Sequence, residues 1–309
     1  MSADARALQL LPRLAGACAL LVLVVVAASA YLRLAQAGFS CADWPACFGQ
    51  LAANQSAMAL EALSFWARVM HRLAAMGVTL LVFCLVVLAY RLRVAHAQLW
   101  RLSGLALALT LFLAVLGFWT SGNRYPAITL GNLLGGMALL AILWRLRTTV
   151  PDAARAAPIP STLLVLATVL LASQVALGGL VSASFAGLSC PGFPGCGAVG
   201  ASFDWALFNP FRRIEIDAAG GVLRPAELSG LVVAHRLLAL ALSLAILTLA
   251  AWLWRRGVGQ KALALRLVVL LGVAYGLGVA SAFAAPPLYL VFGHNVVAAL
   301  LAMSLAEVS

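Results

Sequence analysis

A chain of 309 residues with 64% hydrophobic and only 9% charged residues, and a mean hydropathy of +1.06, carries more apolar surface than a soluble domain can keep from water. The formal net charge of +11 does not point to nucleic acid. Its cations fall mainly in short connections between apolar stretches, where Lys and Arg act as orientation signals. A soluble enzyme and a nucleic-acid-binding module are therefore excluded, and membrane lipid is the expected solvent.

Apolar runs of about 20 residues, the length that crosses a ~30 Å hydrocarbon core as a helix, lie at 13–33, 63–90, 101–121, 126–146, 161–182, 228–253, 264–284 and 287–306. They are continuous rather than alternating, which selects helices over a closed barrel. The first is too long, and lacks the small-residue site, for a cleaved signal, so it reads as a retained helix. Arg6 and Arg13 precede it. Arg91, Arg93 and Arg101 border the second connection, Arg145, Arg147 and Arg155 the fourth, and Arg255, Arg256, Lys261 and Arg266 the sixth. The positive-inside rule then places both termini in the cytoplasm and loops 1, 3, 5 and 7 outside. Loop 5 mixes Arg212, Arg213 and Arg224 with Asp204, Glu215, Asp217 and Glu227, and loops of that length weigh little in the rule.

Two of those outer loops are near-copies, GFSCADWPAC at 38–47 and GLSCPGFPGC at 187–196. The expected fold is an all-α integral membrane protein of eight transmembrane helices, arranged as two tandem four-helix bundles. Residues 1–150 and 151–309 form the halves. Because each holds an even number of spans, the halves share one orientation and are related by a pseudo-twofold axis along the membrane normal. On the oxidising side, Cys41/Cys47 and Cys190/Cys196, with Pro45 and Pro194 turning the chain between them, suit an intraloop disulfide in each half. Free thiols, or one zinc site using all four cysteines, are the competing readings. Cys18 and Cys84 lie inside apolar helices and read as small hydrophobes.

Of four histidines, His96 sits in a cytoplasmic connection. His71, His235 and His294 each lie about two turns into an even-numbered helix, roughly 10–12 Å below the outer surface at 1.5 Å per residue, which puts all three at one depth. An interhelical hydrogen bond is the ordinary use of one such residue. Three ionisable groups at one level point instead to function. His235 and His294 belong to the same half and are expected to hold a heme iron between two helices. Arg72 and Arg236, each following a histidine, are candidates for pairing with heme carboxylates, against the alternative of side chains snorkelling to the interface.

Six segments, YLRLAQAGFSCADWPACFG at 31–49, MHRLAAMG at 70–77, LGFWTSGNRYPAITLGNLLGGM at 116–137, SQVALGGLVSASFAGLSCPGFPGC at 173–196, VAHRLLAL at 233–240 and PPLYLVFGHNVVAALL at 286–301, occur in the order and spacing of one family. The chain resembles the heme A synthases of bacteria and mitochondria over nearly its whole length. That resemblance implies an oxidoreductase of the bacterial cytoplasmic (inner) membrane that converts a methyl group of heme O to the formyl group of heme A. It implies a b-type heme on His235 and His294 as cofactor, and a substrate heme in the N-terminal half. A farnesyltransferase supplying heme O and terminal oxidase assembly are the implied partners, and a homo-oligomer is compatible with the sequence.

The resemblance is uneven. Where the family has Glu three residues before the histidine of the second helix, this chain has Arg68 before His71, and Asn132 replaces the histidine of the fourth helix. These three residues mark the expected catalytic positions. Either the N-terminal site is impaired or altered, or Asn132 leaves an open coordination position at a His71-bound iron. A non-catalytic heme b protein acting in electron transfer, heme handling or oxidase assembly is the alternative function. A solute transporter is a weaker third, since matched broken helices are not evident.

Overall fold

The computed structural model describes residues 3–36, 55–119, 125–149, 161–190, 192–197, 203–213, 228–283 and 288–308. Among these it forms eight long helices and no strand: α1 (Ala3–Gln36), α2 (Gln55–Arg91), α3 (Ala97–Trp119), α4 (Pro126–Thr148), α5 (Ser161–Ala183), α6 (Ser229–Trp254), α7 (Val258–Phe283) and α8 (Leu288–Val308). All eight are long and apolar enough to cross a membrane, in agreement with the spans read from the sequence. Cys41 and Cys47, with their loop, lie outside the described residues.

Helix is the only open-ended answer for such segments, because backbone groups facing lipid must be satisfied within the segment. The helix ends run past the apolar windows. At 34 residues α1 is about 50 Å long, more than the hydrocarbon core requires, and its first turns carry Asp4 and Arg6. The largest apolar cluster joins α1, α2 and α4. Ala7, Leu11, Ala15, Cys18, Ala19, Val22 and Val26 of α1 recur at three- and four-residue spacing and meet Val78, Val82, Leu85 and Ala89 of α2 and Leu133, Met137, Leu140 and Leu143 of α4. Alanine and cysteine on this stripe allow close backbone approach, which supports packing between membrane helices where burial from water contributes nothing.

Within residues 1–150, α1 packs on α2 and on α4, and α3 on α2 and α4. Within residues 151–309, α5 packs on α6, α6 on α7 and α7 on α8, whereas α5 and α8 touch only lightly. The most extensive packing between the two groups is of α4 on α8, α1 on α8 and α4 on α5. Matching α1 to α5 and α4 to α8 exchanges the last two with each other. At one end, Trp144 Nε1 donates to Glu307 Oε2 (3.2 Å), and Arg266 pairs with the same carboxylate, tying α4, α7 and α8 together. At the other end, the Pro210 carbonyl of the α5–α6 connection accepts from Ala127 N (2.8 Å), satisfying one of the amides left without a partner at the start of α4.

Candidate functional site

A cavity of about 290 Å³ lies among α5, α6, α7 and α8, with Leu34 of α1 and Leu133 and Met137 of α4 also lining it. His235 from α6 and His294 from α8 line it, and their ring centroids are 6.3 Å apart with planes crossing at 68°. The pairing inferred from equal depth is thus present as a contact across the bundle.

Each imidazole is seated by a glycine. A Cβ on Gly178 of α5 would stand 2.9 Å from His235 Cε1, and one on Gly278 of α7 would stand 3.4 Å from His294 Cε1. Only a bare backbone leaves the first ring its place. His294 Nδ1 lies 2.8 Å from the Ala274 carbonyl. A carbonyl can only accept, so Nδ1 carries the proton and Nε2 keeps its lone pair, the usual way a second partner orients a metal-binding imidazole. Gly278 stands one turn beyond Ala274 on α7, so the residue that makes room for the ring shares a face with its acceptor.

His235 is held differently. Gln174, one turn before Gly178 on α5, places its Nε2 3.2 Å from His235 Nε2, while His235 Nδ1 and Gln174 Oε1 are buried with no hydrogen-bond partner among the described residues. An orphaned buried polar atom costs about 1–3 kcal/mol. A metal ion bound at His235 Nδ1 would relieve that atom, and one bound at Nε2 would displace the Gln174 amide. Two imidazoles in a mainly apolar cavity fit a heme, whose iron His235 and His294 would hold.

One end of the cavity is bordered by the second of the near-copy loops, whose Phe193 and Pro194 line it. Cys190 and Cys196 form a disulfide, as expected, which removes the four-cysteine zinc reading. Gly192 takes φ +88°, a left-handed conformation that favours glycine, and its amide donates to the Ala282 carbonyl of α7 (3.1 Å). Arg236 lines the cavity, but its guanidinium is directed at this loop: Nη1 lies 3.3 Å from Cys190 Sγ and donates to the Pro194 (3.1 Å) and Gly195 (2.9 Å) carbonyls, and Nη2 donates to the Cys190 carbonyl (3.1 Å). It also stands over the Phe193 ring at 5.7 Å.

These observations describe a paired-imidazole site in an eight-helix membrane protein, and residues 12–306 match the COX15-CtaA family of cytochrome oxidase assembly proteins. The chain belongs to that family. It is also 30% identical over 314 residues to the heme A synthase of Shewanella oneidensis, covering 93% of this chain and 92% of that protein.

The residues at which the chain departs from the family pattern lie elsewhere. His71 is half-buried on α2, on the stripe continued by Ala74, Val78 and Val82 toward α1. Arg68 and Arg72 are exposed and Asn132 is half-buried on α4. None of the four lines the cavity. Sequence reasoning missed Gln174, the two seating glycines and the Ala274 carbonyl. A lone amide inside the apolar helix α5 was the one available signal, because intramembrane polar groups are expensive.

Proposed function

We propose that the chain is a heme A synthase-type oxidoreductase of the bacterial inner membrane, converting the methyl substituent of heme O to the formyl group of heme A for terminal oxidases. Heme b is its resident cofactor on His235 and His294, in the C-terminal of two tandem four-helix halves with both termini cytoplasmic. The observation that carries this reading is the pair of imidazoles seated across an apolar cavity in a chain of this family.

Taking a methyl carbon to an aldehyde with water as the oxygen source releases four electrons and four protons, so the reaction needs a route for electrons out of the substrate site to an external acceptor. His235 and His294 would hold a heme in the cavity, and such a group would supply one-electron transfer. The chain's own residues prepare that site. Ala274 sets the tautomer of His294, Gly178 and Gly278 give both rings their place, and Arg236 fixes the disulfide-closed loop that borders the cavity. Substrate chemistry is assigned to the N-terminal half around His71, with Arg68 and Asn132 as altered positions.

The replacement of Glu by Arg68 and of His by Asn132 favours a second reading, a heme b protein that transfers electrons or assists oxidase assembly without turnover. Extracting the porphyrins of the purified protein and resolving them by mass separates the two. Heme b together with heme O, heme A or a hydroxylated intermediate supports the enzyme. Heme b alone, in cells supplied with heme O that form no heme A, supports the second reading.

A further inference from the structure

Arg33 of α1 breaks the pattern of the other membrane-end cations. It sits at the outer end of its helix, where it serves no positive-inside role, and within the candidate span Asp4–Leu34. Its Nε donates to Ser182 Oγ of α5 (2.9 Å) and its Nη2 to Asn295 Oδ1 of α8 (3.3 Å). Ser182, Asn295 and the neighbouring Leu34 all line the cavity, and Asn295 directly follows His294. Arg33 and Ser182 stand at equivalent places of the doubled segment, each eight residues before the first cysteine of its loop. A cation of residues 1–150 is thus hydrogen-bonded to two residues that line the cavity, without lining it itself.

Among the carboxylates whose side chains are described, none answers it. Asp204 accepts from Ala206 N in the outer connection, Glu307 is taken by Arg266 and Trp144, and Asp4 lies at the opposite end of α1. A guanidinium offers five N–H donors in a fork that matches a carboxylate, and Ser182 and Asn295 occupy two of them as neutral partners. Asn295 cannot turn away, because its Nδ2 donates to the Val291 carbonyl (2.7 Å). Arg236, the other arginine at the cavity, has its donors directed at the loop. A cation at membrane depth with only neutral partners is expensive, and an anionic group on the occupant of the cavity would offset that cost.

We propose that Arg33 binds a carboxylate of the tetrapyrrole seated between His235 and His294, so that the heme site of one half is completed by a residue of the other. This rests on the reading of the cavity as a heme site. It gives Arg33 a role in recognition rather than only in joining the halves.

Heme-free full-length protein in detergent is titrated with heme b and with its dimethyl ester, in which both carboxylates are masked, while the low-spin absorption bands are followed. Unmodified protein is expected to bind heme b about tenfold more tightly than the ester. Arg33→Gln should lose that preference by weakening heme b binding while leaving ester binding unchanged, and Arg33→Lys should restore part of it. Equal weakening of both ligands by Arg33→Gln, or no weakening, overturns the proposal and leaves Arg33 as a strut between the halves. Should Arg33→Gln fail to fold, the unmodified protein still decides, since equal affinity for heme b and its ester overturns the proposal. Absence of low-spin bands with either ligand in unmodified protein refutes the heme site itself.

Discussion

In the C-terminal half, α5 and α8 stand apart around a cavity; in the N-terminal half, their counterparts α1 and α4 close on each other. The sequence of each half explains the difference. Aligning the doubled segments sets Val25 of α1 against Gln174 of α5, and Ser29 against the seating glycine Gly178. On the partner helix, GNLLGGM against GHNVVAA sets Asn132 against His294 and Leu133 against Asn295. Leu133, Met137 and Leu140 are buried with Val22 and Val26 in the apolar cluster, and a Cβ on Gly136 would stand 3.3 Å from Val26 Cγ2. Between α5 and α8 stands a histidine pair beside glycines, whereas between α1 and α4 stand packed apolar side chains, of which Leu133 and Met137 also line the cavity. His71–Arg72 and His235–Arg236 are the pairs kept in both halves.

The strongest test of that contrast is removal of either C-terminal imidazole. His235→Ala or His294→Ala should abolish the low-spin heme spectrum, because loss of one axial ligand leaves iron five-coordinate or unbound. An unchanged spectrum in purified protein would place the heme elsewhere. The same substitution at His71 should leave the low-spin bands intact.

The second test moves the N-terminal half toward its partner. Arg68→Glu with Asn132→His should raise the heme retained per chain and the heme A yield of cells supplied with heme O, since it restores an acid for proton transfer and an imidazole on α4. If the unmodified protein already retains two low-spin hemes, or forms heme A as fast as the double variant, the contrast between the halves is not functional.

Parts of this contrast were legible in the sequence for physical reasons. Lipid forces each span to satisfy its own backbone, so eight helices follow from hydropathy alone. Their ends do not, because residues 3–12 of α1 and the first turns of α2 extend beyond the apolar runs read from the sequence. The His235/His294 pair followed from equal depth on helices running the same way. The Gln174 contact, the Ala274 acceptor and the glycine seats depend on how α5, α6, α7 and α8 are rotated about their axes, and no single segment records that rotation. Arg236 illustrates the same limit, since its place beside His235 suggested a heme carboxylate and the structure turns it to the loop.

The third test is steric and smaller. Gly178→Val should displace the His235 ring, because the first added carbon already meets Cε1 at 2.9 Å, a contact that a packed interior does not accommodate without shifting its neighbours. Heme retention should fall roughly tenfold for a rearrangement costing about 1–3 kcal/mol. Gly272→Ala and Gly276→Ala, whose added carbons meet nothing within 4 Å, serve as controls with retention unchanged. Equal retention in Gly178→Val and in these controls would show that the ring does not need its glycine seat.

The smallest effect is expected at Gln174, and its sign is the informative part. The Gln174 carboxamide lies against His235 Nε2, the nitrogen equivalent to the one that His294 leaves without a hydrogen bond to Ala274. Gln174→Leu, which makes the C-terminal half resemble Val25 of the other half, removes that partner. The heme-free form should lose about 1 kcal/mol of stability, while the heme-bound form, with iron at His235, should lose less. Heme affinity should therefore rise about fivefold, read by titration together with a lower melting temperature of the heme-free protein. A fall in affinity of similar size would mean that Gln174 continues to support His235 when heme is bound. Iron would then meet the other nitrogen, Nδ1, which is buried without a partner, and the two ligands would differ in the ring atom they present.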